Sequence, residues 1–335
     1  MKKRQKKNFL VTGAAGFIGY HLCSYLLKKG YAVIGLDNLN SYYSKKLKID
    51  RIKELVDLNK NFKFHKIDLK NKNQIQKLFN IYKFEKVLHM AAQAGVRKSI
   101  KYPMSYVNNN IVATTNLFEV IKDYEKIPVI LASSSSVYGD QSENVYSTKL
   151  RTDTPIQMYA VSKKCTELMG HSYNYQYNIP VVALRFFTVY GPWGRPDMAL
   201  FDFTKKIIKN KTINVYNNGN HYRDFTFIDD IIKKIILVCD KTKFYKNPKK
   251  QNKYKVYNIG NGKPFKLMKF IKLIEEELKI KAKIKYLPTQ PGDMLGTHAE
   301  MKEFNKDFKK LENYSLKDGI KEFINWYKKY YMLNE

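Results

Sequence analysis

Three glycines spaced three residues apart limit most strongly what this chain can fold into. They are Gly13, Gly16 and Gly19, and they follow a short apolar segment, Phe9–Val11, which we expect to form the first β-strand. The same glycines open a helix-like segment over Phe17–Lys29. Glycine permits a tight turn, lets the backbone approach a pyrophosphate and lets a helix pack closely on a strand. The pattern therefore predicts a dinucleotide site.

The predicted second strand supports this interpretation because it ends on an acid. The apolar run Tyr31–Leu36 closes on Asp37. A carboxylate there accepts hydrogen bonds from both ribose hydroxyls and repels a 2′-phosphate, so it favours NAD over NADP. Glycines alone also cluster in ordinary turns. It is the combination of glycines, flanking strand and helix, and terminal acid that predicts the site.

The following segments alternate short apolar strands with helical stretches. The predicted strands are Phe62–Ile67, Lys86–Met90, Val129–Ser133 and Val181–Arg185, and the predicted helices include Tyr106–Lys122 and Tyr159–Tyr177. This alternation predicts an α/β fold, a doubly wound parallel sheet of the Rossmann type. Asp68 and Ala91–Ala92 lie just past strand ends, where such sheets bind ligands, although Asp68 could instead cap a helix.

A second group of residues carries chemistry. Four serines, Ser133–Ser136, end the fifth predicted strand, and Tyr159 precedes Lys163 by four residues on a predicted helix. Residues four apart share a helix face, so the ammonium can lie near the phenol and favour its ionised form. A serine hydroxyl can hold the same substrate oxygen. In a chain with 26 tyrosines this spacing also arises by chance, and its order after the dinucleotide motif gives it weight.

In this order the motifs TGAAGFIG (12–19), SSSSVYG (133–139) and YAVSK (159–163) resemble the extended short-chain dehydrogenase/reductase family, whose members act on sugar nucleotides with NAD. Longer stretches are similar to its UDP-glucuronate 4-epimerases in particular. They are LDNLNSYYS (36–44), HMAAQAGVR (89–97), LRFFTVYGPWGRPDMALF (184–201), RDFTFIDD (223–230), YNIGNGKP (257–264) and QPGDMLGT (290–297). The stretch at 184–201 is the most specific piece of this resemblance, because related dehydratases and galactose epimerases usually carry Asn where Thr188 stands.

The resemblance implies roles for individual residues. Tyr159 would be the acid/base on the sugar 4-hydroxyl, Lys163 its partner, and Ser134 the catalytic serine. The NAD-binding residues would be Gly13, Gly16, Phe17, Ile18, Gly19, Asp37, Asn38, Asp68, Leu69, Ala91, Ala92 and Lys163. The substrate-binding residues would be Arg97, Ser135, Ser136, Thr188, Arg195, Arg223 and Asp293, with Arg223 on the diphosphate and Asp293 on the uridine ribose.

The resemblance also implies a reaction, the NAD-dependent 4-epimerisation of a UDP-sugar through a 4-keto intermediate. UDP-glucuronate to UDP-galacturonate is the expected conversion. The alternatives are a UDP-glucose or UDP-N-acetylhexosamine 4-epimerase, then a UDP-glucuronate decarboxylase. A dehydratase is disfavoured because Ser135 and Ser136 stand where dehydratases carry Asp and Glu. A different class, a non-catalytic nucleotide- or nucleic-acid-binding protein, is also considered.

Charge bears on the nucleic-acid alternative. The chain has 61 Lys+Arg against 30 Asp+Glu, a formal net charge of +31, but only seven of the basic residues are arginine. Lysine recognises phosphates and bases less well than arginine does, and the lysines are scattered along the chain. We therefore expect a solvated basic surface and no nucleic-acid partner. Four arginines lie inside the motifs, Arg97, Arg185, Arg195 and Arg223. We interpret Arg185, which ends a predicted buried strand, as structural.

The expected organisation is a basic tail (1–8), an NAD-binding domain (9–180) and a mainly substrate-binding α/β domain (181–335), with parts of about 226–262 returning to the first. There is no apolar run of about 18 residues, so no membrane span is expected. Three cysteines without a CxxC pair predict neither disulfides nor a metal site, which favours the cytoplasm. Helices 106–122 and 159–177 resemble the family's dimer-forming helices, so we expect a homodimer. Their apolar stripes would equally suit a core.

Overall fold

The computed structural model describes residues 8–124, 126–141, 143–241, 254–289 and 294–331. The chain forms two compact units. The first comprises the described residues of Met1–Gly139, Arg151–Arg185 and Ile232–Tyr257, and the second those of Asp140–Leu150, Phe186–Ile231 and Asn258–Glu335. The first unit thus extends to Arg185 rather than 180, because the strand that follows Pro180 belongs to the central sheet.

The strands are β1 (Asn8–Thr12), β2 (Ala32–Asp37), β3 (Phe62–Lys66), β4 (Phe84–His89), β5 (Val129–Ser134), β6 (Val181–Phe186), β7 (Thr188–Tyr190), β8 (Ile213–Tyr216), β9 (Tyr222–Arg223), β10 (Phe225–Phe227), β11 (Tyr254–Ile259), β12 (Phe265–Lys266) and β13 (Ile284–Leu287). The α-helices are α1 (Phe17–Lys28), α2 (Lys45–Leu58), α3 (Lys72–Ile81), α4 (Val96–Lys101), α5 (Pro103–Tyr106), α6 (Ala113–Ile121), α7 (Met158–Tyr177), α8 (Ala199–Ile208), α9 (Ile228–Lys241), α10 (Leu267–Leu278), α11 (Lys302–Asp307) and α12 (Leu316–Tyr331). Asn8 begins β1, so it is not part of the expected tail, whose other residues lie outside the described ones.

A seven-stranded sheet organises the first unit in the order β11-β6-β5-β4-β1-β2-β3. The pairs β1/β2, β1/β4, β2/β3 and β4/β5 are parallel. All residues of β5 and β6 are buried, as expected for strands covered on both faces. This topology confirms the predicted doubly wound Rossmann fold, in which the carboxyl ends of the strands form the ligand-binding edge.

The hydrophobic core of the first unit lies where α3 and α6 cover the sheet. Leu78 of α3 and Phe118 of α6 are buried against Val87 and Val129 of the strands. α3 presents its apolar side chains at helical spacing, with Ile75 and Leu78 buried on one face. This packing leaves the strand ends beyond the core available for polar side chains.

The predicted helix 106–122 is not one continuous α-helix. It consists of α5, a π-helical segment over Val107–Val112 and α6. A π-helical turn inserts one extra residue into the α-helical repeat, and such turns are frequent at functional sites. The sequence pattern could not reveal it, because the apolar residues on either side keep a helical spacing.

In its described residues, the second unit contains three short strand pairs and helices. β7 pairs with β10 and β8 with β13 in parallel, whereas β9 and β12 are antiparallel. Phe225 of β10 stacks on Phe270 of α10, with ring centroids 4.2 Å apart. Among the described residues, no helix combines the length and apolar character of a membrane span, and no three His, Cys, Asp or Glu side chains cluster as metal ligands.

Candidate active site

The glycine-rich loop joins β1 to α1 and packs too tightly for any side chain. Gly13 has a left-handed φ of +71°, and its N–H donates to the carbonyl of Leu36 at 2.6 Å. A Cβ on Gly13 would lie 2.8 Å from the backbone nitrogen of Ala91. A Cβ on Gly19 would overlap the carbonyl oxygen of Gly13. The predicted reasons for glycine, a tight turn and a close helix–strand approach, hold here.

This loop fits the diphosphate of NAD. α1 begins after Gly16, which has no side chain to cap the helix, and Phe17 and Ile18 form its first turn. The N-terminus of a helix carries a partial positive charge and directs backbone N–H groups outward, so it is suited to a phosphate. The glycine-rich loop and the first turn of α1, together called the glycine cradle, therefore have the shape and the partial charge that the predicted diphosphate requires.

Asp37 ends β2 beside this loop and is held by backbone amides. Its Oδ1 accepts from the N–H of Leu39 at 2.8 Å and its Oδ2 from that of Ala15 at 3.2 Å. Burial raises its pKa, and the amides together with Lys48 and Arg51 oppose that rise by favouring the carboxylate. An acceptor fixed next to the glycine loop suits the hydroxyls of a ribose.

Asp68 and Asn38 join the ends of two adjacent strands. The Asn38 amide donates to Oδ2 of Asp68 at 3.1 Å, and Oδ1 of Asp68 accepts from the N–H of Lys70 at 2.9 Å. Asn71, not Asp68, caps α3, so the alternative role of Asp68 as a helix cap is wrong. Leu69, which directly follows Asp68 in the sequence, is buried.

Ala91 and Ala92 follow β4, where a buried histidine orders the strand end. The Ala91 N–H donates to Oγ1 of Thr12 at 3.2 Å, and that hydroxyl lies 2.8 Å from Nδ1 of His89. Nε2 of His89 lies 3.0 Å from Oγ1 of Thr114. Burial, aided by the charge of Lys163, lowers the pKa of His89 to about 3. The imidazole is therefore neutral at physiological pH.

Tyr159 and Lys163 lie one turn apart on α7. Lys163 is buried, and its Nζ donates to the carbonyl oxygen of Ala132 on β5 at 2.7 Å. Burial lowers the pKa of Lys163 to about 8, against the opposing charge of Glu167, so the ammonium still predominates at neutral pH. The half-buried Tyr159 ring meets the edge of Tyr106, with centroids 6.1 Å apart. The pair can serve proton transfer to and from a hydroxyl.

The four serines at the end of β5 have different roles. The Ser133 hydroxyl donates a hydrogen bond to Oε1 of Glu167 on α7 at 2.6 Å. Ser134 accepts from the Ser136 N–H at 3.2 Å and its hydroxyl lies 3.2 Å from that of Ser136. Ser135 and Ser136 begin a 3₁₀ turn and are half-buried. Ser134 to Ser136 can therefore contact a ligand, whereas Ser133 is structural.

Asn110 is a site residue that the sequence analysis missed. Its Oδ1 accepts from the Gln93 N–H at 2.7 Å, and its Nδ2 donates to the Gln93 carbonyl at 3.1 Å and to the Ser162 hydroxyl at 2.8 Å. Ser162 in turn donates to the backbone carbonyl of Tyr159 at 2.8 Å. This buried amide ties the segment after β4 to the first turn of α7. The run of three asparagines at 108–110 within an apolar helix was the available signal.

The predicted arginines fall into different settings. Arg185 is buried and forms a bidentate ion pair with Glu167, with Nε–Oε1 2.9 Å and Nη2–Oε2 2.8 Å, which confirms its structural interpretation. Arg97 is exposed on α4, which begins after Gly95. In the second unit, Arg195 pairs through two nitrogens with Asp197.

Thr188 and Arg223 also lie in the second unit. The half-buried Thr188 opens β7 and donates its N–H to the Asp224 carbonyl at 3.1 Å. The Arg223 guanidinium donates to the carbonyls of Met294 at 2.7 Å and Leu295 at 3.1 Å. Asp293 lies outside the described residues.

Asp224 is a second residue that the sequence analysis did not single out. It is fully buried, and its carboxylate accepts from the backbone N–H groups of Asn261 at 2.6 Å, Gly262 at 2.9 Å and Ala299 at 3.1 Å. These bonds hold two segments of the second unit, one at residues 261–262 and one at Ala299, next to β10. Asp224 therefore fixes the backbone from which Arg223 extends.

The family model described as "NAD dependent epimerase/dehydratase family" matches residues 9–260. The chain therefore belongs to the NAD-dependent epimerase/dehydratase family. It is 44% identical to Protein CapI of Staphylococcus aureus, over 96% of this chain and 98% of that protein. It is 42% identical to UDP-glucuronate 4-epimerase 4 of Arabidopsis thaliana, over 96% of this chain and 75% of that protein. The crystal structure of UDP-glucuronic acid 4-epimerase from Bacillus cereus in complex with UDP-glucuronic acid and NAD matches with a TM-score of 0.88 and 35% identity, over 97% of this chain and 100% of that chain.

Proposed function

We propose that the protein is an NAD-dependent isomerase that interconverts UDP-glucuronate and UDP-galacturonate at C4. The observation that carries the proposal is the pair of Tyr159 and buried Lys163 on α7, with the Lys163 ammonium bonded to β5 at 2.7 Å. This pair belongs to the unit that carries the glycine cradle and Asp37. Relatives of this activity match nearly the whole chain.

In the proposed reaction Tyr159 is the acid/base. Its phenolate takes the proton from the 4-hydroxyl as the C4–H bond breaks, which gives a 4-keto sugar. Reduction on the opposite face then returns the proton from Tyr159 to O4 with inverted configuration. Lys163 stabilises the phenolate by its charge, and the Ser134 hydroxyl orients the same oxygen. Bound NAD would supply the hydride acceptor and donor for C4.

We assign the cofactor and substrate contacts as the sequence predicts. The first turn of α1 would hold the diphosphate of NAD, Asp37 the adenosine ribose, and Lys163 the nicotinamide ribose. The segments around Asp68 and Ala91 would complete the cofactor site. The substrate contacts are assigned to Arg97, Ser135, Ser136, Thr188, Arg195, Arg223 and Asp293.

A glucuronate substrate creates a hazard that the site must prevent. Its 4-keto intermediate is a β-keto acid, which loses carbon dioxide when the C5–carboxylate bond aligns with the carbonyl π-system. We assign the control of that alignment to hydroxyl groups that hold the carboxylate, those of Ser135, Ser136 and Thr188. The same hydroxyls provide no carboxylic acid to drive elimination of water.

Thr188→Ala is expected to raise the fraction of decarboxylated product. Without the hydroxyl, the carboxylate samples the aligned orientation and carbon dioxide leaves. The measurement is product mass after incubation with UDP-glucuronate and NAD, with Thr188→Ser as the matched variant that keeps the hydroxyl. If Thr188→Ala gives no product lighter by carbon dioxide, this role for Thr188 is wrong.

One experiment tests the proposed function directly. The purified protein is incubated with UDP-glucuronate and NAD, and the products are separated by chromatography and mass spectrometry. UDP-galacturonate at unchanged mass supports the proposal. A product lighter by carbon dioxide indicates the decarboxylase, and no reaction contradicts the proposal and directs attention to neutral UDP-sugars.

We further propose a homodimer formed through the helices α4 to α7. Ile100, Met104 and Leu168 on these helices are 56–62% exposed, so each presents apolar surface that a second copy of the chain could cover. Met104→Glu combined with Leu168→Glu is expected to yield a monomer by light scattering. Ile81→Glu, on the exposed surface of α3, is the matched control and should leave the dimer intact. A dimer that survives the double substitution would contradict this surface.

The location is proposed to be cytoplasmic, and no nucleic-acid partner is proposed. Cys23 and Cys239 are buried, and among the described residues no cysteine forms a disulfide, as is usual in a reducing compartment. For the basic surface, weak RNA binding that disappears at about 150 mM salt is expected. Tight binding at that salt concentration would contradict the assignment.

A further inference from the structure

The segment that carries Arg195 has an unusual backbone. This loop (191–197) connects β7 to α8, and Trp193 within it has a φ of +57°, which large side chains rarely adopt. Such a conformation persists only where the surrounding packing enforces it. The contacts of Trp193 therefore determine the shape of the loop.

An aromatic cluster of Trp193, Trp326 and Tyr330 provides those contacts. The Trp193 ring lies 5.3 Å from that of Trp326 and 5.0 Å from that of Tyr330, and the last two stack with an interplanar angle of 18°. Trp326 and Tyr330 lie one turn apart on α12. The helix is itself anchored next to the loop, because a Cβ on Gly319 would overlap the ring of Tyr190, the last residue of β7.

The loop also holds the Arg195 side chain in a defined orientation. Both Nε and Nη2 of Arg195 pair with the Asp197 carboxylate, and the Met198 N–H donates to the Arg195 carbonyl at 3.1 Å. The Arg195 side chain is 20% exposed, so only part of its surface is accessible to a ligand. The Asp197 carboxylate thereby fixes the plane of the guanidinium, and this plane sets the direction from which the guanidinium can meet a phosphate or carboxylate.

We propose that α12 is a substrate-affinity element, in which Trp326 and Tyr330 hold Trp193 and thereby place Arg195 for an anionic nucleotide sugar. The inference rests on the proposed function, because it takes Arg195 as a substrate ligand. Trp326 and Tyr330 are positioning residues in it, acting through the loop. Without their rings the loop populates other backbone conformations, and affinity falls in proportion to the fraction that remains competent.

The test measures the dissociation constant of UDP-glucuronate by calorimetry with the full chain in the presence of NAD. Trp326→Leu is expected to weaken binding about tenfold. Because the proposed role is positioning, kcat should change less than threefold. Trp326→Phe, which keeps a ring, should restore most of the affinity. Ile320→Ala, a core substitution on the same helix, controls for general destabilisation and should leave the dissociation constant unchanged. Tyr330→Leu serves if Trp326→Leu does not fold.

A double-mutant cycle identifies the route of the effect. In an Arg195→Ala background, Trp326→Leu should change affinity less than twofold, because the group that it positions is absent. An undiminished loss in that background, or no loss in the single variant, overturns the proposal. Wild-type protein that binds UDP-glucuronate without converting it would contradict the proposed function only, and the cycle would still judge the positioning role. Protein that binds neither UDP-glucuronate nor UDP would contradict both.

Tryptophan fluorescence gives an independent readout. The chain has two tryptophans, and both belong to the aromatic cluster. Trp326→Phe therefore leaves Trp193 as the sole reporter of the loop. The emission of Trp193 in the Trp326→Phe protein should shift when UDP-glucuronate binds. The same ligand should cause no shift in the double variant Trp326→Phe with Arg195→Ala. If calorimetry records binding of UDP-glucuronate and the Trp193 emission does not change, the assignment of this loop to the substrate site is overturned.

Discussion

Tyr159→Phe is expected to lower kcat for UDP-glucuronate epimerisation by a factor of about 10³, within the range typical of general acid–base catalysis. The substitution removes one oxygen, the atom that takes the O4 proton, and leaves the aromatic ring and its contact with Tyr106. Lys163, bonded to the Ala132 carbonyl, cannot replace it because its geometry is set by the sheet. The measurement is the rate of UDP-galacturonate formation at saturating substrate.

Two controls separate this chemical role from a structural one. Tyr175→Phe removes the same atom from the same helix at a site that is 80% exposed, and it should leave kcat unchanged. The NAD content and the melting temperature of Tyr159→Phe should match those of the wild type. Full activity in Tyr159→Phe would overturn the catalytic assignment.

The local parts of the site could be predicted from sequence. The glycine loop, the acid ending β2 and the turn separating Tyr159 from Lys163 each depend on residues within one strand–helix unit, so their spacing carries the geometry. The prediction of the family and of the Rossmann fold is confirmed. The individual binding roles stay predictions that the proposed variants test.

The parts that sequence did not reveal depend on distant partners. Asn110 bonds to Gln93 and Ser162, which are 17 and 52 residues away. Asp224 binds amides that lie 37, 38 and 75 residues further along the chain. In each case an ordinary polar residue becomes important only because folding buries it against backbone groups that need a partner.

The serine run shows the same limit at closer range. Four identical residues at a strand end look equivalent in sequence, yet Ser133 bonds to Glu167 on α7, 34 residues away. The strand alternates its side chains between two faces, so neighbouring serines necessarily meet different surroundings. Ser133 therefore joins the buried pair of Glu167 and Arg185, and the proposed ligand contacts are assigned to its neighbours, Ser134–Ser136.

Among the substitutions proposed here, Arg185→Met is expected to give the largest loss of stability, about 3–5 kcal/mol in the free energy of unfolding. Both partners of its ion pair are at most 4% exposed, so the substitution leaves the Glu167 carboxylate buried and bonded to the Ser133 hydroxyl but without its guanidinium partner. Urea denaturation of the NAD-loaded protein measures the change. Arg151→Met is the matched control, because the Arg151–Asp153 pair is 90% and 59% exposed and should contribute less than about 1 kcal/mol.

The double variant Arg185→Met with Glu167→Leu tests the physical cause. If the loss comes from burying the Glu167 carboxylate without its guanidinium partner, removing that carboxylate should recover most of the lost stability, since a buried ion pair replaced by apolar side chains of similar size is often close to neutral. If the loss comes from packing, for example from the Arg185 guanidinium over the Tyr138 ring at 4.8 Å, the two substitutions should add. An additive result would show that Arg185 and Glu167 stabilise the packing of α7 on β6 mainly by van der Waals contact. The position of α7, which carries Tyr159 and Lys163, would then depend on packing more than on the ion pair.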